Sequence, residues 1–531
     1  MVIVDEYWAE NAWYASRRGG QGTNRQAPWG NLIARTGRVP EMTLQYVDAE
    51  AEDMNSKSYQ GISVYRRALA MITRPDGTPY VVDFYPVSGG HRHLLLFHSR
   101  GKEVESTLTK KTPYKHLDSI PDNDTTEVFK ATAANIFQPG KVLNNVNLGG
   151  AVRNKWMHSW LFDYSAWAPK TTPLPKELMV DPHYFTIHGL LNGGNAKAIR
   201  AEGHYPITIK EHFEGKDYSF RFQFENAIKY AGLRAQSKQI LSDCYIQCYS
   251  SYSDKEKPLI ANMAKIPCDN KGNPFKSAVE ITFPDGSRDI VIWQPDAEQT
   301  SWDGELFSTD ARCALIRINE KGKVRYAAMS GGTILTWRNR TLLKEKYGTL
   351  TGHLEQIRGD ISGEPGMSAL VLKDADNWQE GTALKGQTVT VAYNNGWRKD
   401  AYTIDRVEKK DGKTILHLEN APFFIDVRGD VEDIPRGSRR ANQFNGTGTS
   451  KGGTQTRYLL GSKIVFPELK KTYTVKAINS QFAVTTLWWT IAEPVNVIKE
   501  GIKPGMKFHI IPDWKNAIVE LVTTTEKVIT K

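Results

Sequence analysis

The feature that most restricts the fold of this chain is a series of short segments in which apolar and polar residues alternate. Many of them are joined by Asp-Gly or Asn-Gly dipeptides. Alternation with a period of two is typical of strands with one buried face, and these dipeptides favour the tight turns of β-hairpins. The paired segments are 59–72 with 80–84, 278–283 with 290–293, 314–318 with 324–328, 388–393 with 401–404, and the segment at Val407 with 414–418. The sequence therefore predicts antiparallel, hairpin-rich β-structure.

The predicted fold class is all-β with few helices. We expect an antiparallel β-sandwich or supersandwich over residues 1–345, truncated at its N-terminal edge, and a second, smaller antiparallel β-domain over residues 346–531. Residues 125–137 and 338–347 are weak helical candidates. Residues 436–456 contain Gly, Ser, Thr and Asn without an apolar period, which predicts a long polar loop.

The charge balance restricts the class of partner. A net charge of +10 favours polyanions: nucleic acid, an anionic membrane or an acidic polysaccharide. The basic residues are scattered, and no RNA-binding or zinc-finger signature accompanies them, so nucleic acid is disfavoured. No apolar run approaches the ~18 residues of a membrane span, and no signal peptide is visible.

The cysteine pattern indicates neither a metal site nor a disulfide framework. The four cysteines form no CxxC pair. Cys244 and Cys248 are an even number of residues apart, so in a strand they share a face, and we predict that they are small core residues.

Histidines are concentrated directly after a Gly-Gly turn, in the segment 82–99. In a strand, His91 and His93 would share one face, whereas Arg92 and His98 would share the other. These side chains could donate hydrogen bonds to an acidic sugar, and two histidines at i and i+2 could also chelate zinc. The more favoured interpretation is that they support a sandwich as hydrogen-bonded, partly buried groups.

A second cluster combines aromatic residues with arginines, followed by a Gly-rich turn, in the segment 7–29. Aromatic rings stack on sugars, and arginine pairs bidentately with carboxylate or sulfate. A sugar-binding surface and an ordinary exposed loop are about equally favoured. The candidates are Tyr7, Trp8, Trp13, Arg17, Arg18 and Arg25. A third aromatic cluster, 156–167, is better explained by core or inter-domain packing than by binding, and His183 and His188 are too isolated to interpret.

Several of these motifs resemble a known family. Tyr59-Gln60-Gly61, the arginine-rich segment 65–69, the segment 80–84 and the stretch 87–99 with its Gly-Gly and three histidines occur in the order seen in the β-domain of heparinase II/III-like polysaccharide lyases. The segment 233–250 and the hairpin at Asp285-Gly286 also resemble large members. The remaining two-thirds of the chain fits more loosely.

The resemblance implies a bacterial enzyme that cleaves uronic-acid polysaccharides, such as glycosaminoglycans or alginate, by β-elimination in the periplasm or outside the cell. A Tyr or His base removes the C5 proton, while Asn, Arg or His neutralises the uronate carboxylate. Members combine an α/α toroid with β-sandwich domains, and many hold zinc. Residues 1–5 look like the tail of the strand that follows the family's His-Asn pair.

The resemblance therefore implies that the toroid, the base, the neutraliser and the zinc ligands lie upstream of Met1. No catalytic or metal-binding role transfers to a residue of this chain, and we expect it to need the toroid for activity. Tyr7, Trp8, Trp13, Arg17, Arg18, Arg25, His91, Arg92, His93 and His98 stay candidates for lining a substrate cleft. Two alternatives are a stand-alone, non-catalytic β-module that binds acidic glycans, and, from net charge alone, a basic nucleic-acid or surface-interaction protein.

Overall fold

A computed structural model gives the architecture. It describes residues 2–4, 30–36, 42–51, 62–99, 101–108, 112–113, 143–162, 182–191, 196–203, 207–213, 216–222, 228–253, 258–269, 273–358, 368–393, 398–419, 427–434, 441–447, 459–480, 486–511, 514 and 517–530. These residues form strands and turns with one 3-10 turn (Pro467–Leu469) and no α-helix. The predicted all-β fold is confirmed. No helix in the described ranges is long and apolar enough to cross a membrane.

The first sixteen strands build two large sheets and a separate hairpin. They are β1 (Val2–Val4), β2 (Gly30–Arg35), β3 (Leu44–Ala51), β4 (Ile62–Thr73), β5 (Pro79–Gly89), β6 (Arg92–Ser99), β7 (Lys102–Ser106), β8 (Thr112–Pro113), β9 (Leu143–Val152), β10 (Lys155–Phe162), β11 (His183–Leu190), β12 (Ala196–Gly203), β13 (Ile207–Phe213), β14 (Lys216–Phe222), β15 (Ile228–Gln236) and β16 (Ser242–Tyr252).

The front sheet has the order β1-β6-β15-β12-β9-β8, and the central sheet has the order β2-β3-β4-β5-β16-β11-β10-β7. Strands β13 and β14 pair only with each other among the described strands.

The next nine strands form two smaller sheets. They are β17 (Asn262–Ile266), β18 (Ser277–Thr282), β19 (Arg288–Trp293), β20 (Thr300–Trp302), β21 (Phe307–Thr309), β22 (Cys313–Ile318), β23 (Val324–Ser330), β24 (Ile334–Trp337) and β25 (Arg340–Lys344). The back sheet is β17-β18-β19-β22-β23, and the outer sheet is β20-β21-β24-β25.

Apolar side chains join these sheets into a stack of four layers. One cluster lies between the front and central sheets, a second between the central and back sheets, and a third between the back and outer sheets. The central sheet is therefore buried on both faces over much of its area. Cys244 and Cys248 of β16 face the back sheet and are fully buried, which confirms the prediction that they are core residues.

The remaining strands build two closed six-stranded barrels. They are β26 (Thr349–Arg358), β27 (Ala369–Lys373), β28 (Thr388–Tyr393), β29 (Arg398–Lys410), β30 (Lys413–Leu418), β31 (Val427–Asp433), β32 (Gln443–Thr447), β33 (Lys463–Phe466), β34 (Lys471–Ser480), β35 (Thr486–Ile491), β36 (Lys507–Ile511), β37 (Ile518–Val522) and, outside the barrels, β38 (Thr524–Val528).

Both barrels use the same strand order. The first is β26-β27-β30-β29-β28-β37 and the second is β31-β32-β35-β34-β33-β36, so each contains a Greek key. The second barrel is inserted between β30 and β37 of the first. After β37 closes the first barrel, β38 pairs with β23 and extends the back sheet. The division that the sequence suggested after residue 345 stays a prediction.

The hairpin predictions are confirmed where the structure describes them. Gly77, Gly286, Gly322 and Gly412 lie in hairpin turns with φ of +85°, +83°, +76° and +72°, a region that glycine enters at little cost. Asn395-Gly396 and the helical candidate 125–137 lie outside the described residues.

Two other local predictions are wrong. Residues 338–347 are not helical, because Arg340–Lys344 form strand β25 paired with β24. Residues 436–456 are not a loop throughout, because Gln443–Thr447 form strand β32 paired with β35. The fully buried ring of Phe444 fixes β32 in the barrel, and a single apolar residue is too weak a signal to reveal a strand.

Candidate functional site

Two consecutive arginines on β4 point to opposite faces of the central sheet. Arg66 faces the back sheet, where its Nε and Nη2 donate to Asp48 at 2.7 and 2.6 Å. The Tyr46 hydroxyl donates to the same carboxylate at 2.5 Å, and the indole N–H of Trp293 lies 3.1 Å from it. Asp48 is fully buried. This cluster joins the central and back sheets, because the Asp48 carboxylate accepts hydrogen bonds from groups of both sheets in place of water.

The same combination of side chains recurs at a second place between these sheets. Arg317 donates from Nε and Nη2 to Asp289, both at 2.8 Å, and the Tyr80 hydroxyl donates to Asp289 at 2.6 Å. Asp289 is fully buried. Both clusters are structural, since neither carboxylate is open to a ligand.

A third Tyr–Asp–Arg cluster lies on the opposite face of the central sheet and reaches solvent. Arg67 donates from Nε at 3.1 Å and from Nη2 at 2.8 Å to Asp83, and the Tyr249 hydroxyl donates to Asp83 at 2.6 Å. The Arg67 guanidinium also lies 5.4 Å from the centre of the Tyr85 ring. The side chain of Arg67 is 44% exposed, whereas that of Asp83 is 1% exposed.

Among the described residues, the part of the central sheet beside Arg67 is less buried than the rest of the sheet. Side chains on one side of β3 and β4 are only half-buried or exposed, whereas their neighbours on the other side are buried against the back sheet. We call the less buried side the open face, and its residues are Gln45, Val47, Ala49, Arg67, Leu69 and Met71. Met71 is 37% exposed.

One cross-strand row leads from the open face into the sandwich. Register places Val47 opposite Leu69, Leu69 opposite Asp83, and Asp83 opposite Gln247. Gln247 is fully buried, and neither its amide nitrogen nor its amide oxygen has a hydrogen-bond partner among the described residues. The row continues to Gly189, over which the indole of Trp156 lies. The row is therefore apolar on the open face, at Val47 and Leu69, and polar inside the sandwich, at Asp83 and Gln247.

The histidine-rich segment is divided by the turn before β6. His91 lies in the turn, whereas Arg92, His93 and His98 lie on β6, where alternation places Arg92 and His98 on one face and His93 on the other. Arg92 is buried, and His98 is exposed. The structure therefore does not bring these four side chains together.

His93 is part of the core. Its Nε2 lies 2.8 Å from the Gly89 carbonyl oxygen and its Nδ1 lies 2.9 Å from the Tyr245 hydroxyl. A carbonyl can only accept, so Nε2 carries the hydrogen and Nδ1 accepts from Tyr245 in the neutral ring. Both nitrogens are engaged, which fits the supporting role that the sequence favoured for this residue.

The other predicted sugar contacts, Tyr7, Trp8, Trp13, Arg17, Arg18 and Arg25, lie outside the described residues. In the third aromatic cluster, Trp156 and Trp160 are buried between the front and central sheets, as predicted.

A serine–histidine pair occurs in the same core. The backbone N–H of Leu108 and Nη2 of Arg200 donate to the Ser106 hydroxyl at 3.0 and 2.8 Å, which fills both acceptor positions. His158 Nδ1 lies 2.8 Å from the Ser106 hydroxyl, and His158 Nε2 lies 3.5 Å from Nη1 of Arg200. Arg200 also pairs with Glu103. Because Ser106 accepts two hydrogen bonds and His158 is fully buried, this pair is a structural network and not an activated nucleophile.

Four largely buried tyrosines of the sandwich are poor candidates for a catalytic base. Burial, followed by the nearby carboxylates of Asp48, Asp289, Asp243 and Asp83, raises the pKa values of Tyr46, Tyr80, Tyr245 and Tyr249. Each phenol therefore keeps its proton at neutral pH. Within the described ranges, no three residues of the types His, Cys, Asp and Glu are grouped so that they could hold a metal ion.

The sequence did not single out Arg67, Asp83 and Tyr249 as a site. Two consecutive arginines in an alternating strand do carry a signal, since one must point to each face and a buried one needs an acid. Nothing local indicates Tyr249, which is 166 residues from Asp83 in the chain.

Comparison with models of known protein families finds no match for this chain. A search of curated proteins finds none either.

Proposed function

We propose that this chain is the β-structured part of a polysaccharide lyase similar to heparinase II/III enzymes, and that it binds an acidic polysaccharide. The Arg67 cluster on the open face carries the proposal, because a fixed guanidinium at a sheet surface is suited to a carboxylate or sulfate. The net charge of +10 and the stacked antiparallel sheets support it further.

The proposal gives the described strands a binding role and not the proton transfer. β-Elimination needs a base at C5 of the uronate and a group that neutralises its carboxylate. Tyr249, a phenol of the Arg67 cluster, donates to Asp83, and burial together with that carboxylate raises its pKa. A phenol in this state does not accept a proton. We assign the base to polypeptide other than these strands, because the resemblance implies a helical toroid that supplies it.

A second candidate function is a stand-alone module that binds acidic glycans without cleaving them. The observation that favours it is that Arg67 is held by groups of this chain alone, namely Asp83 and Tyr85. Such a module needs no helical partner to bind.

Two measurements on the purified chain test the proposal. In affinity electrophoresis we expect retardation by alginate, heparin or chondroitin sulfate but not by neutral dextran. In solution we expect no rise in the ultraviolet absorbance of unsaturated uronate, unless a lyase toroid is added. Retardation by none of the acidic glycans would refute both candidate functions. Cleavage by the chain alone would refute the assignment of the base to other polypeptide. If the chain binds acidic glycans and an added toroid produces no cleavage, the stand-alone module is favoured.

A further inference from the structure

We propose that the outward edge of the Arg67 guanidinium is a subsite for the carboxylate of a uronic-acid residue, with the open face as its floor. This inference rests on the proposed function, because it names the group that would bind the acidic polysaccharide. The site consists of Arg67 together with the apolar residues Leu69, Val47 and Met71.

Among the described residues, the guanidinium of Arg67 is hydrogen-bonded on the side that faces Asp83 and Tyr249. Asp83 takes the Nε hydrogen and one Nη2 hydrogen, which is the side-on pair. The structure records no hydrogen bond from Nη1 to any described residue. Nη1 and the second Nη2 hydrogen form the end-on pair, which matches the two oxygens of a carboxylate. One arginine can therefore hold the buried Asp83 on one edge and a ligand carboxylate on the other.

Arg67 is also held in place before a ligand arrives. Its Nε and Nη2 are fixed by Asp83, and its guanidinium lies 5.4 Å from the centre of the Tyr85 ring. Holding a long side chain in one conformation removes much of the entropy cost of binding. A flexible surface arginine lacks this advantage.

The surroundings of Arg67 suit a sugar ring better than a compact ion. Leu69 lies opposite Val47, and Met71, which is 37% exposed, lies further along the same side of β4. These side chains give an apolar surface several residues long, on which the C–H face of a pyranose can lie. Gln45 of the same face adds an amide that can bond a hydroxyl.

The charged groups on the open face favour an anion that can accept two parallel hydrogen bonds from Arg67. Register places Arg35 opposite Val47, so it lies on the same side as Arg67. The carboxylate on this side among the described residues of β3, β4 and β5 is Asp83, which is 1% exposed. Since Asp83 offsets the charge of Arg67, binding depends on the paired hydrogen bonds more than on net charge, and we expect it to weaken only modestly with salt.

The test compares two arginines that are neighbours in sequence. Arg67→Lys keeps a positive charge beside Asp83 but removes the planar fork. Arg66→Lys makes the same change at the buried cluster on the opposite face and is the matched control. We expect Arg67→Lys to bind alginate about tenfold to a hundredfold more weakly in affinity electrophoresis, which is the range for losing a charge-assisted pair. Arg66→Lys should bind like the unchanged chain.

A second pair of variants covers the case in which Arg67→Lys does not fold. Met71→Glu places a negative charge on the open face at an exposed position, and Met71→Gln is its neutral control. We expect Met71→Glu to weaken alginate binding more than Met71→Gln does, because both variants remove apolar surface but only the first adds a charge that repels the uronate.

The outcomes separate this inference from the proposed function. If the unchanged chain binds alginate and neither Arg67→Lys nor Met71→Glu weakens it, the subsite is wrong but acidic-glycan binding stands. If Arg67→Lys weakens binding of dextran sulfate, which has sulfates and no carboxylates, as much as that of alginate, the uronate assignment is wrong. If the unchanged chain binds no acidic glycan, both are refuted.

Discussion

Replacing the buried carboxylate of Asp48 leaves the charge of Arg66 buried without its partner. The loss of stability tests whether the burial of that arginine decides how much each cluster contributes to the free energy of unfolding. Asp48→Asn keeps the size of the side chain but removes its charge. The Arg66 guanidinium, whose side chain is only 10% exposed, then loses the carboxylate that it hydrogen-bonds, and Glu50 is a weaker remaining source of negative charge near it. Removing one partner of a buried pair costs about 3–5 kcal/mol, mostly because the other charge stays buried and unpaired.

Asp83→Asn is the matched comparison, because it makes the same change at the third cluster. Arg67 is 44% exposed, so water hydrates its charge when the carboxylate is removed. The remaining cost is that of weakened hydrogen bonds, about 1–2 kcal/mol. The predicted difference of about 2–3 kcal/mol arises from the exposure of the two arginines and not from the number of bonds.

Native-state hydrogen exchange measures this difference locally. The free energy of opening is read from the amides of β3 and β4, which carry Asp48 and both arginines. We expect those amides to lose about 3–5 kcal/mol of protection in Asp48→Asn and less than half of that in Asp83→Asn. An equal loss in the two variants would contradict the reasoning, because the buried leftover charge would then carry no extra cost.

Three other predictions concern residues inside the sandwich. Burial, followed by the Lys155 ammonium, lowers the pKa of His188 from 6.5 to about 4, so the unfolded state binds a proton that the folded state does not. Stability should therefore be full above pH 6.5 and fall by up to about 3 kcal/mol as the pH is lowered towards 4. His188→Gln should flatten this dependence in urea unfolding, and an unchanged slope would refute it. A Cβ on Gly189 would lie 2.2 Å from the Trp156 ring, so Gly189→Ala should lower the free energy of unfolding by about 1–3 kcal/mol. The urea midpoint should fall, and an unchanged midpoint would mean that the indole moves aside freely. Gln247→Met should raise the free energy of unfolding by about 1 kcal/mol and so raise the urea midpoint, because it removes a buried amide without a described partner. A lower midpoint would show that the amide is satisfied.

For the Arg67 cluster, the sequence predicts which face of the strand each arginine occupies but not which residues it contacts. The adjacent arginines of β4 could be assigned to opposite faces from alternation alone, since the side-chain period of a strand is two. Their partners could not be assigned. Asp48 lies 245 residues from the indole of Trp293, and Asp83 lies 166 residues from Tyr249. Such pairs depend on which strands become neighbours, and alternation carries no information about that.

The amino-acid sequence by itself determined the all-β class and the local hairpins, because a period of two and a turn glycine act over a few residues. Gly286, Gly322 and Gly412 lie in the turns where the pattern predicted them. Tertiary structure alone decided the four-layer stack, the insertion of one barrel into the other and the return of β38 to the back sheet. It also decided that Arg66 is enclosed while Arg67 reaches solvent. The physical reason is that burial and strand pairing depend on surfaces contributed by residues hundreds of positions apart.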